Sequence, residues 1–433
     1  MFKQKKYIVL AATAMILAAC GPTGTSNTSQ TSTPTNSDVT TSGSGTKERI
    51  RVQVWGPQKE GEKEIYEHLA AEFQAQNPSI NFLMSYGDVG EGDAATQALA
   101  DVDTAADVFM FADDQLSNLV NKGVLTELSS YYADKVKARD LASAVDAATY
   151  GDKLYGFPVA ADNGYFLMYN TDFYTETDVL TLEAMIAKAD SSHQIAIDLG
   201  NGYYALSPIM NVGDISYNPT TKVHSTTFNQ TASVKAMEAF TDIVRDNLDK
   251  GFKSINVDDI LADFSDAQGN KIVAAVSGMW NADNIEEALG AKFGATKLPS
   301  FTSKDNTVVQ MGSFAGSKLV GVKSNSANQA WALAFAEFIT NEAAQLYRYQ
   351  QIGKGPSNAN VSASAAVQEN EALAALGMQA AFAIPQSKSV GGSFWDAAAA
   401  VGNFVANGPT EESTVLTVKD QLDAFVMAIT MTI

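Results

Sequence analysis

Strand-like and helix-like patterns of apolar residues take turns along the chain from residue 50 onward. Residues 50–55 alternate apolar and polar side chains, as a half-buried strand does. Apolar side chains at Ile65, Leu69 and Phe73 then follow at the four-residue spacing of an amphipathic helix. This helix is predicted to end before Pro78, because proline disfavours helical backbone in the residue that precedes it.

The same alternation continues over the following two hundred residues. It predicts strands over residues 82–84, 107–112, 156–169 and 195–199, and helices over residues 116–120, 182–189 and 234–248. Strand–helix alternation is typical of doubly wound α/β folds, in which ligands bind beyond the carboxyl ends of the strands. Trp55, Asp113 and Asp114 would lie at such ends.

The N-terminal segment has the pattern of a targeting signal. A lysine-rich start is followed by an apolar run, residues 7–17, that is too short to span a bilayer core of about 30 Å. The run leads into Leu17-Ala18-Ala19-Cys20, which contains the only cysteine of the chain. This tetrad resembles the lipobox of bacterial lipoproteins, which implies that residues 1–19 are removed and that Cys20 carries lipid. An ordinary secretory signal followed by a stray cysteine is the alternative.

The segment after Cys20 has the composition of a flexible tether. Residues 21–45 are almost entirely Ser, Thr, Gly, Asn and Pro, and such a tract buries too little apolar surface to fold. Residues 20–47 are therefore predicted to form a disordered tether whose ends lie on the order of 30 Å apart. No later apolar stretch reaches 18 residues, so lipid is the only membrane anchor that the sequence predicts.

Charge and composition exclude several classes of function. The chain has 49 acidic and 29 basic residues and a formal net charge of −20. A nucleic acid is not an expected partner of so acidic a chain, because a phosphate backbone requires a basic surface. A basic membrane-binding patch is not expected either, because acidic residues outnumber basic ones. With one cysteine there can be no internal disulfide, so the fold must be stabilised by hydrophobic cores, and the length suffices for two domains.

The sequence contains no recognisable catalytic or metal-binding motif. His68, His193 and His224 are scattered without metal-ligand spacing. There is no nucleophile elbow, no phosphate-binding Walker loop and no complete calcium loop. We therefore predict no catalytic residue, no metal and no cofactor.

Aromatic residues recur beside small polar groups, which is typical of a carbohydrate cleft. The apolar face of a sugar ring stacks on an aromatic plane, while its hydroxyl groups bond carboxylates and amides. Taken singly, each of these positions could equally belong to a core or to a helix cap. The groups are Trp55 with Lys59, Phe111 with Asp113 and Asp114, Tyr203-Tyr204, Trp280-Asn281 and Phe394-Trp395-Asp396.

Several segments in a fixed order resemble the extracellular solute-binding proteins of ATP-binding-cassette (ABC) importers, specifically the maltose and maltodextrin binders. The resemblance covers nearly all of the chain from residue 50 to the C-terminus. The segments that carry it are Ile50–Trp55, Ala105–Phe109, Leu154–Val159 with Leu167–Asn170, Ser277–Trp280 and Ile384–Pro385 with Phe394-Trp395.

The resemblance implies a set of ligand-binding residues. Tyr203 is the alternative to Tyr204, because the local alignment slips easily by one residue. Phe111 stands where the family often has tryptophan, and Gln115 replaces a common arginine. The implied residues are Lys59 and Asp114 for sugar hydroxyls, Asp162 in place of the family's usual glutamate, and Tyr204, Trp280 and Trp395 for stacking.

The resemblance also implies an architecture and a function. The fold is expected to have two doubly wound α/β lobes, in the periplasmic-binding-protein (Venus flytrap) arrangement, joined by three chain crossings that form a hinge. The implied protein is a monomer, lipid-anchored at the extracellular face of the bacterial cytoplasmic membrane. It binds malto-oligosaccharides between the lobes and delivers them to a membrane permease. The expected boundaries are residues 48–161 with 312–356 for the first lobe and 162–311 with 357–433 for the second.

Three alternatives remain open from the sequence. The ligand could be another oligosaccharide, such as a xylo- or fructo-oligosaccharide. The chain could be a surface-anchored carbohydrate-cleaving enzyme that uses two of Asp113, Asp114 and Asp162 as an acid–base pair. It could also be an adhesin that uses the same cleft to hold polysaccharide.

Overall fold

The computed structural model describes residues 47–57, 61–218, 220–264, 271–391, 394–409 and 417–430. These residues belong to one compact unit that starts at Lys47. The signal segment, Cys20, most of the tether and Lys59 lie outside the described residues. Within the described ranges, no helix has the length and apolar character needed to cross a membrane.

The first elements form close to where the hydrophobic pattern predicts them. Strand β1 covers Glu48–Gly56 and buries alternate side chains. Helix α1 covers Glu62–Gln76 and buries Ile65, Leu69 and Phe73 on one face. It ends just before the proline, as predicted.

The later elements follow the same alternation of strand and helix. The remaining strands are β2 Ile80–Asp88, β3 Val108–Ala112, β4 Thr149–Tyr150, β5 Lys153–Leu154, β6 Phe157–Asn170, β7 Gln194–Ala196, β8 Ile215–Asn218, β9 Val223–Thr226, β10 Phe252–Lys253, β11 Ile272–Gly278, β12 Phe293–Thr296, β13 Ser300–Thr302, β14 Val308–Gln310, β15 Ser313–Val322 and β16 Ala383–Pro385. The remaining helices are α2 Glu91–Ala100, α3 Leu116–Asn121, α4 Ser130–Arg139, α5 Ala142–Ala147, α6 Leu182–Lys188, α7 Gly202–Ala205, α8 Thr231–Asn247, α9 Met279–Leu289, α10 Gln329–Phe338, α11 Glu342–Ile352, α12 Ala359–Ser362, α13 Ala365–Gln368, α14 Glu371–Ala380, α15 Gln386–Ser389, α16 Phe394–Asn407 and α17 Val418–Thr430.

Ten strands form one continuous mixed sheet. Its order is β10, β7, β11, β6, β15, β3, β1, β2, with β12 paired to β6 and β16 paired to β15. Strand β1 is parallel to β2 and β3, and β7 is parallel to β10 and β11. Strands β6 and β15 run antiparallel to each other and join the two parallel ends. Each end therefore has the parallel pairing of a doubly wound α/β lobe.

Separate hydrophobic cores form at the two ends of this sheet. The first core draws its buried residues from positions 50–159 and 319–344. The second draws them from positions 165–314 and 390–429, with a further layer that reaches residues 372–375 of α14. We call the parts built on these cores the first lobe and the second lobe. The predicted two-lobed α/β fold is thus present.

Three segments of the chain pass between the lobes. The first is residues 160–164 of β6, where pairing with β15 gives way to pairing with β11. The second is residues 313–318 of β15, which lead from its pairing with β16 to its pairing with β3. The third lies between the last core residue of the first lobe, Ala344, and the start of α14 at Glu371. We call these the crossing segments; the exact lobe boundaries given above stay a prediction.

Candidate functional site

Asp114 lies where the two lobes meet. It belongs to the 3-10 turn Asp113–Gln115, which directly follows strand β3, so its side chain sits beyond the carboxyl end of that strand. Its Oδ2 accepts a hydrogen bond from Gln115 Nε2 at 2.7 Å. The side chains of Trp395 and Gln386, both from the C-terminal part of the chain, lie close enough to this carboxylate to lower its pKa. A predicted binding residue of the first lobe thus contacts one of the second.

The two neighbouring carboxylates have raised pKa values. Burial raises the pKa of Asp114 to about 6, against the opposing effect of its hydrogen bonds. Burial and the charge of Asp114 hold the pKa of Asp113 well above its usual range, and Oδ1 of Asp113 has no hydrogen-bond partner. At neutral pH Asp114 is therefore largely ionised, and an ionised carboxylate accepts strong hydrogen bonds from hydroxyl groups.

Three aromatic rings form a group that reaches this carboxylate through Trp395 and Tyr203. Tyr203 lies 5.9 Å from Trp395 and 6.0 Å from Trp280, measured between ring centroids. Phe314 of the second crossing segment packs behind them, at 5.6 Å from Tyr203 and 5.4 Å from Trp395. Tyr203, Trp280, Trp395 and Asp114 are all only partly buried. A ring that stacks on a sugar must keep one face accessible, and these three rings meet that requirement.

Local sequence explains how helices α7 and α16 bring two of these rings together. The side chain of Asn201 caps α7 by accepting a hydrogen bond from the backbone N–H of Tyr203 at 3.0 Å. Gly202 follows, and a Cβ atom at that position would lie 2.2 Å from the carbonyl oxygen of Trp395. Glycine is therefore required for the close approach of the two helices. We call Asp114, Tyr203, Trp280 and Trp395 the aromatic–carboxylate cluster.

Other predicted site residues lie elsewhere in the fold. Tyr204 is 7% exposed and its ring packs in the core of the second lobe, 4.9 Å from the ring of Tyr165, while its hydroxyl lies near Trp280. Asp162 is 1% exposed and contacts the other crossing segments. Trp55, Phe111 and Phe394 are buried core residues, which agrees with the alternative that these positions belong to a core.

Two polar residues of the cluster's surroundings were not predicted from the sequence. Asn163 donates a hydrogen bond from Nδ2 to Oε1 of Gln386 at 3.1 Å, and its backbone oxygen accepts one from the hydroxyl of Tyr203 at 3.3 Å. The side chain of Gln386 also interacts with the carboxylate of Asp114. The available signal was weak: Asn163 is adjacent to the predicted Asp162, and Gln386 directly follows the quoted segment Ile384–Pro385.

The placement of the two adjacent tyrosines leads to a test. We expect Tyr203→Ala to weaken sugar binding by about 1–2 kcal/mol, because it removes a partly exposed ring from the cluster. Tyr204→Phe should have a smaller effect on affinity, because the buried ring is kept and only the hydroxyl beside Trp280 is lost. Titration calorimetry of both variants measures this, and a larger loss in Tyr204→Phe would contradict it.

A cavity of about 700 Å³ lies beside the crossing segments. Residues of all three segments line it, together with α5 and α14. Its lining includes Asp113 and Asn163 but, among the described residues, none of the aromatic–carboxylate cluster. Within the described residues as a whole, no group of three or more His, Cys, Asp and Glu residues is placed to hold a metal ion.

Comparison with solved structures supports the two-lobed fold. One structure, solved with acarbose, is 25% identical and superposes with a TM-score of 0.78 over 89% of this chain and 99% of its own. A maltodextrin-binding protein from L. casei BL23, solved without ligand, is 26% identical with a TM-score of 0.74 over 88% of this chain and 99% of its own. The periplasmic-binding-protein arrangement predicted from the sequence is confirmed.

Sequence comparison identifies the family. The galactooligosaccharide-binding protein of Bacillus subtilis (strain 168) is 28% identical over 349 residues, which cover 74% of this chain and 78% of that protein. Residues 68–375, more than half of the chain, match the family described as bacterial extracellular solute-binding protein. Together with the two-lobed fold, this match shows that the chain belongs to the bacterial extracellular solute-binding proteins.

Proposed function

We propose that the chain binds a malto-oligosaccharide between its lobes and delivers it to the permease of an ABC importer. The observation that carries this proposal is the aromatic–carboxylate cluster, in which partly exposed rings lie beside an ionisable carboxylate. Such a cluster can stack the apolar faces of sugar rings and bond their hydroxyl groups. The maltodextrin-binding relative at 26% identity supports an α-glucan as the ligand.

A galacto-oligosaccharide is the second candidate ligand. The relative at 28% identity is a galactooligosaccharide-binding protein. Both classes of sugar present apolar ring faces and hydroxyl rims, so the rings of the cluster suit either. Discrimination between them would come from hydroxyl partners such as Asp114, because a ligand that lacks the matching hydroxyl leaves a desolvated polar group unpaired.

Isothermal titration of the purified chain tests the ligand. The panel contains maltose, maltotriose, maltotetraose and galacto-oligosaccharides, with cellobiose and xylo-oligosaccharides as controls. We expect saturable micromolar binding of the α-glucans, for which several stacked rings and charged hydrogen bonds are sufficient. Binding heat from galacto-oligosaccharides alone would identify them as the ligand instead of malto-oligosaccharides and would leave the proposed transport role unchanged. The absence of binding heat with every sugar of the panel would contradict oligosaccharide binding.

Two further measurements separate transport from the other classes. The family consists of binding proteins, so maltodextrin incubated with the chain should keep its length; shorter products would favour the carbohydrate-cleaving alternative. A strain that lacks this chain should lose uptake of the bound sugar. Unchanged uptake would favour an adhesin instead.

The anchor proposal rests on Cys20. Replacing Cys20 by Ala removes the thiol that a lipid would modify, so we expect an unlipidated product that is retained as precursor or released into the medium. Mass spectrometry of the N-terminal peptide and fractionation of cells measure this, with the unaltered chain as control. Lipid on the Cys20→Ala product would contradict the assignment of the anchor and leave the sugar site unaffected.

A further inference from the structure

The carboxylate of Asp162 contacts all of the crossing segments at once. Asp162 itself lies in the first segment, on strand β6, and is 1% exposed. Its Oδ2 accepts a hydrogen bond from the backbone N–H of Gly355, in the third segment, at 2.8 Å. Its Oδ1 lies 4.0 Å from Nζ of Lys318, at the end of the second segment. One side chain therefore links three pieces of chain that are far apart in sequence.

Backbone contacts hold the first and third segments together at the same place. The N–H of Ala161 donates a hydrogen bond to the carbonyl oxygen of Gly355 at 3.0 Å. A Cβ atom at position 355 would lie 2.8 Å from Cβ of Asp162 and 2.9 Å from Cδ2 of Leu373. No side chain fits there without displacing backbone. The third segment is thus packed directly against Asp162.

Two cations face the charge of Asp162, Lys318 and Arg348 of the third segment, although Oδ1 of Asp162 makes no hydrogen bond. Lys318 is 8% exposed, and its Nζ lies 2.9 Å from Oε1 of Glu91 in the first lobe. The charges of Asp162 and Glu91 raise the pKa of Lys318 against the effect of burial, so the ammonium group is retained. A buried charge that loses its partner is strongly unfavourable. Any movement that separates Asp162 from Lys318 is therefore opposed.

We infer that Asp162 is a positioning residue that fixes the three crossing segments to one another and so sets the relative orientation of the lobes before any sugar binds. The lobes can rotate only if at least two of these segments move relative to each other. The hydrogen bond to Gly355 and the ion pair with Lys318 both resist that motion. This role differs from the sugar contact that the family resemblance implies for Asp162, and it does not depend on which ligand the chain binds.

Distances between the lobes in the sugar-free chain test the inference. Spin labels at Lys137→Cys in the first lobe and Ala187→Cys in the second, both exposed positions, report the orientation in a Cys20→Ala background. The distance distribution is measured by pulsed electron resonance. We expect one narrow population in the parent. In Asp162→Leu, which removes both contacts, we expect the distribution to shift and broaden.

A graded set of variants separates positioning from general loss of stability. Asp162→Asn keeps an acceptor for Gly355 but loses the charge, so its shift should be smaller and in the same direction. Gly355→Ala should shift the distribution as well, because the new Cβ displaces the third segment. Asp107→Asn is the matched control: it weakens the partly buried ion pair of Asp107 with Lys323, which lies within the first lobe, and should leave the distances unchanged.

Each outcome decides the inference. Circular dichroism shows whether each variant is folded. If Asp162→Leu does not fold, Asp162→Asn and Gly355→Ala still test the inference. Unchanged distances in the folded Asp162 variants would overturn the positioning role, and a loss of sugar affinity in the same variants would then assign Asp162 as a sugar contact. An equal shift in Asp107→Asn would also overturn it. Since no sugar is present, failure of the proposed ligand would not alter this result.

Discussion

Trp395→Ala should weaken oligosaccharide binding by about 1–3 kcal/mol, a loss of roughly tenfold to a hundredfold in affinity. The indole ring is partly exposed, so it is available to a sugar face, and it also lies close enough to Asp114 to lower the pKa of that carboxylate. Removing it takes away the stacking surface and one of the groups that hold the carboxylate. Titration calorimetry with the sugar that the chain binds measures the loss.

Trp331 offers a matched control for the removal of a tryptophan. Its ring is also partly buried, but it packs on the core of the first lobe, 6.3 Å from the ring of Phe73. Trp331→Ala should therefore lower the free energy of unfolding and leave sugar affinity unchanged. Equal affinities in Trp395→Ala and the unaltered chain would show that the sugar does not bind at the aromatic–carboxylate cluster.

Asp114→Asn should stabilise the fold while it weakens sugar binding. The folded-state pKa of Asp114 is raised to about 6 by burial, so the ionised form at pH 7.5 is unfavourable in the folded state. Removing that charge should raise the free energy of unfolding by on the order of 1–3 kcal/mol. We expect a value near the lower end of this range, because the group is partly exposed and solvent screens its charge. Affinity should fall by roughly tenfold or more, because a charged hydrogen-bond acceptor is lost.

The pH dependence of this effect has a definite sign. A raised carboxyl pKa means that the folded state binds more protons than the unfolded state between about pH 4 and 6. The destabilisation from Asp114 is therefore absent below about pH 4 and complete above about pH 6. Urea unfolding should show a larger gain for Asp114→Asn at pH 7.5 than at pH 4.5. The same gain at both pH values would contradict the assignment of this pKa.

Asp178 is a control of opposite sign. Its pKa is lowered to about 2, first by the hydrogen bond from Lys188 and then by those from Thr175. A carboxylate of this kind contributes stability that is present above about pH 4 and is lost as the pH falls toward 2. Asp178→Asn should accordingly lower stability at both pH 7.5 and pH 4.5, and should leave sugar affinity unchanged because the residue lies outside the cluster.

The opposite expectations for these aspartates reflect a general property of binding sites. A group that must stay available to a ligand cannot be fully paired within the protein, so the sugar-free fold retains an uncompensated carboxylate. Asp113, next to Asp114, also has an Oδ1 without a hydrogen-bond partner, but this residue is buried and is not a predicted ligand contact.

The sequence by itself determined several elements of the fold. The four-residue spacing in α1, the alternation in β1 and the proline that ends α1 act within a few residues of the chain, so periodicity was enough to predict them. The same holds for the six-residue helix α3 and for the long strand β6. The family resemblance added the two-lobed arrangement. Among the predicted site residues, Asp114, Trp280 and Trp395 lie together in the structure, while Lys59 lies outside the described residues.

Only the tertiary structure decided which polar and aromatic residues remain accessible. Tyr203 and Tyr204 are neighbours in sequence, but successive residues of a helix point in directions about 100° apart, so one faces the cluster and the other the core. Asp114 and Asp162 are the same residue type, yet one meets Trp395 and the other Gly355 and Lys318. These contacts join positions that are more than 150 residues apart. Local pattern carries no information about such distant partners, because they depend on how the strands are ordered in the sheet.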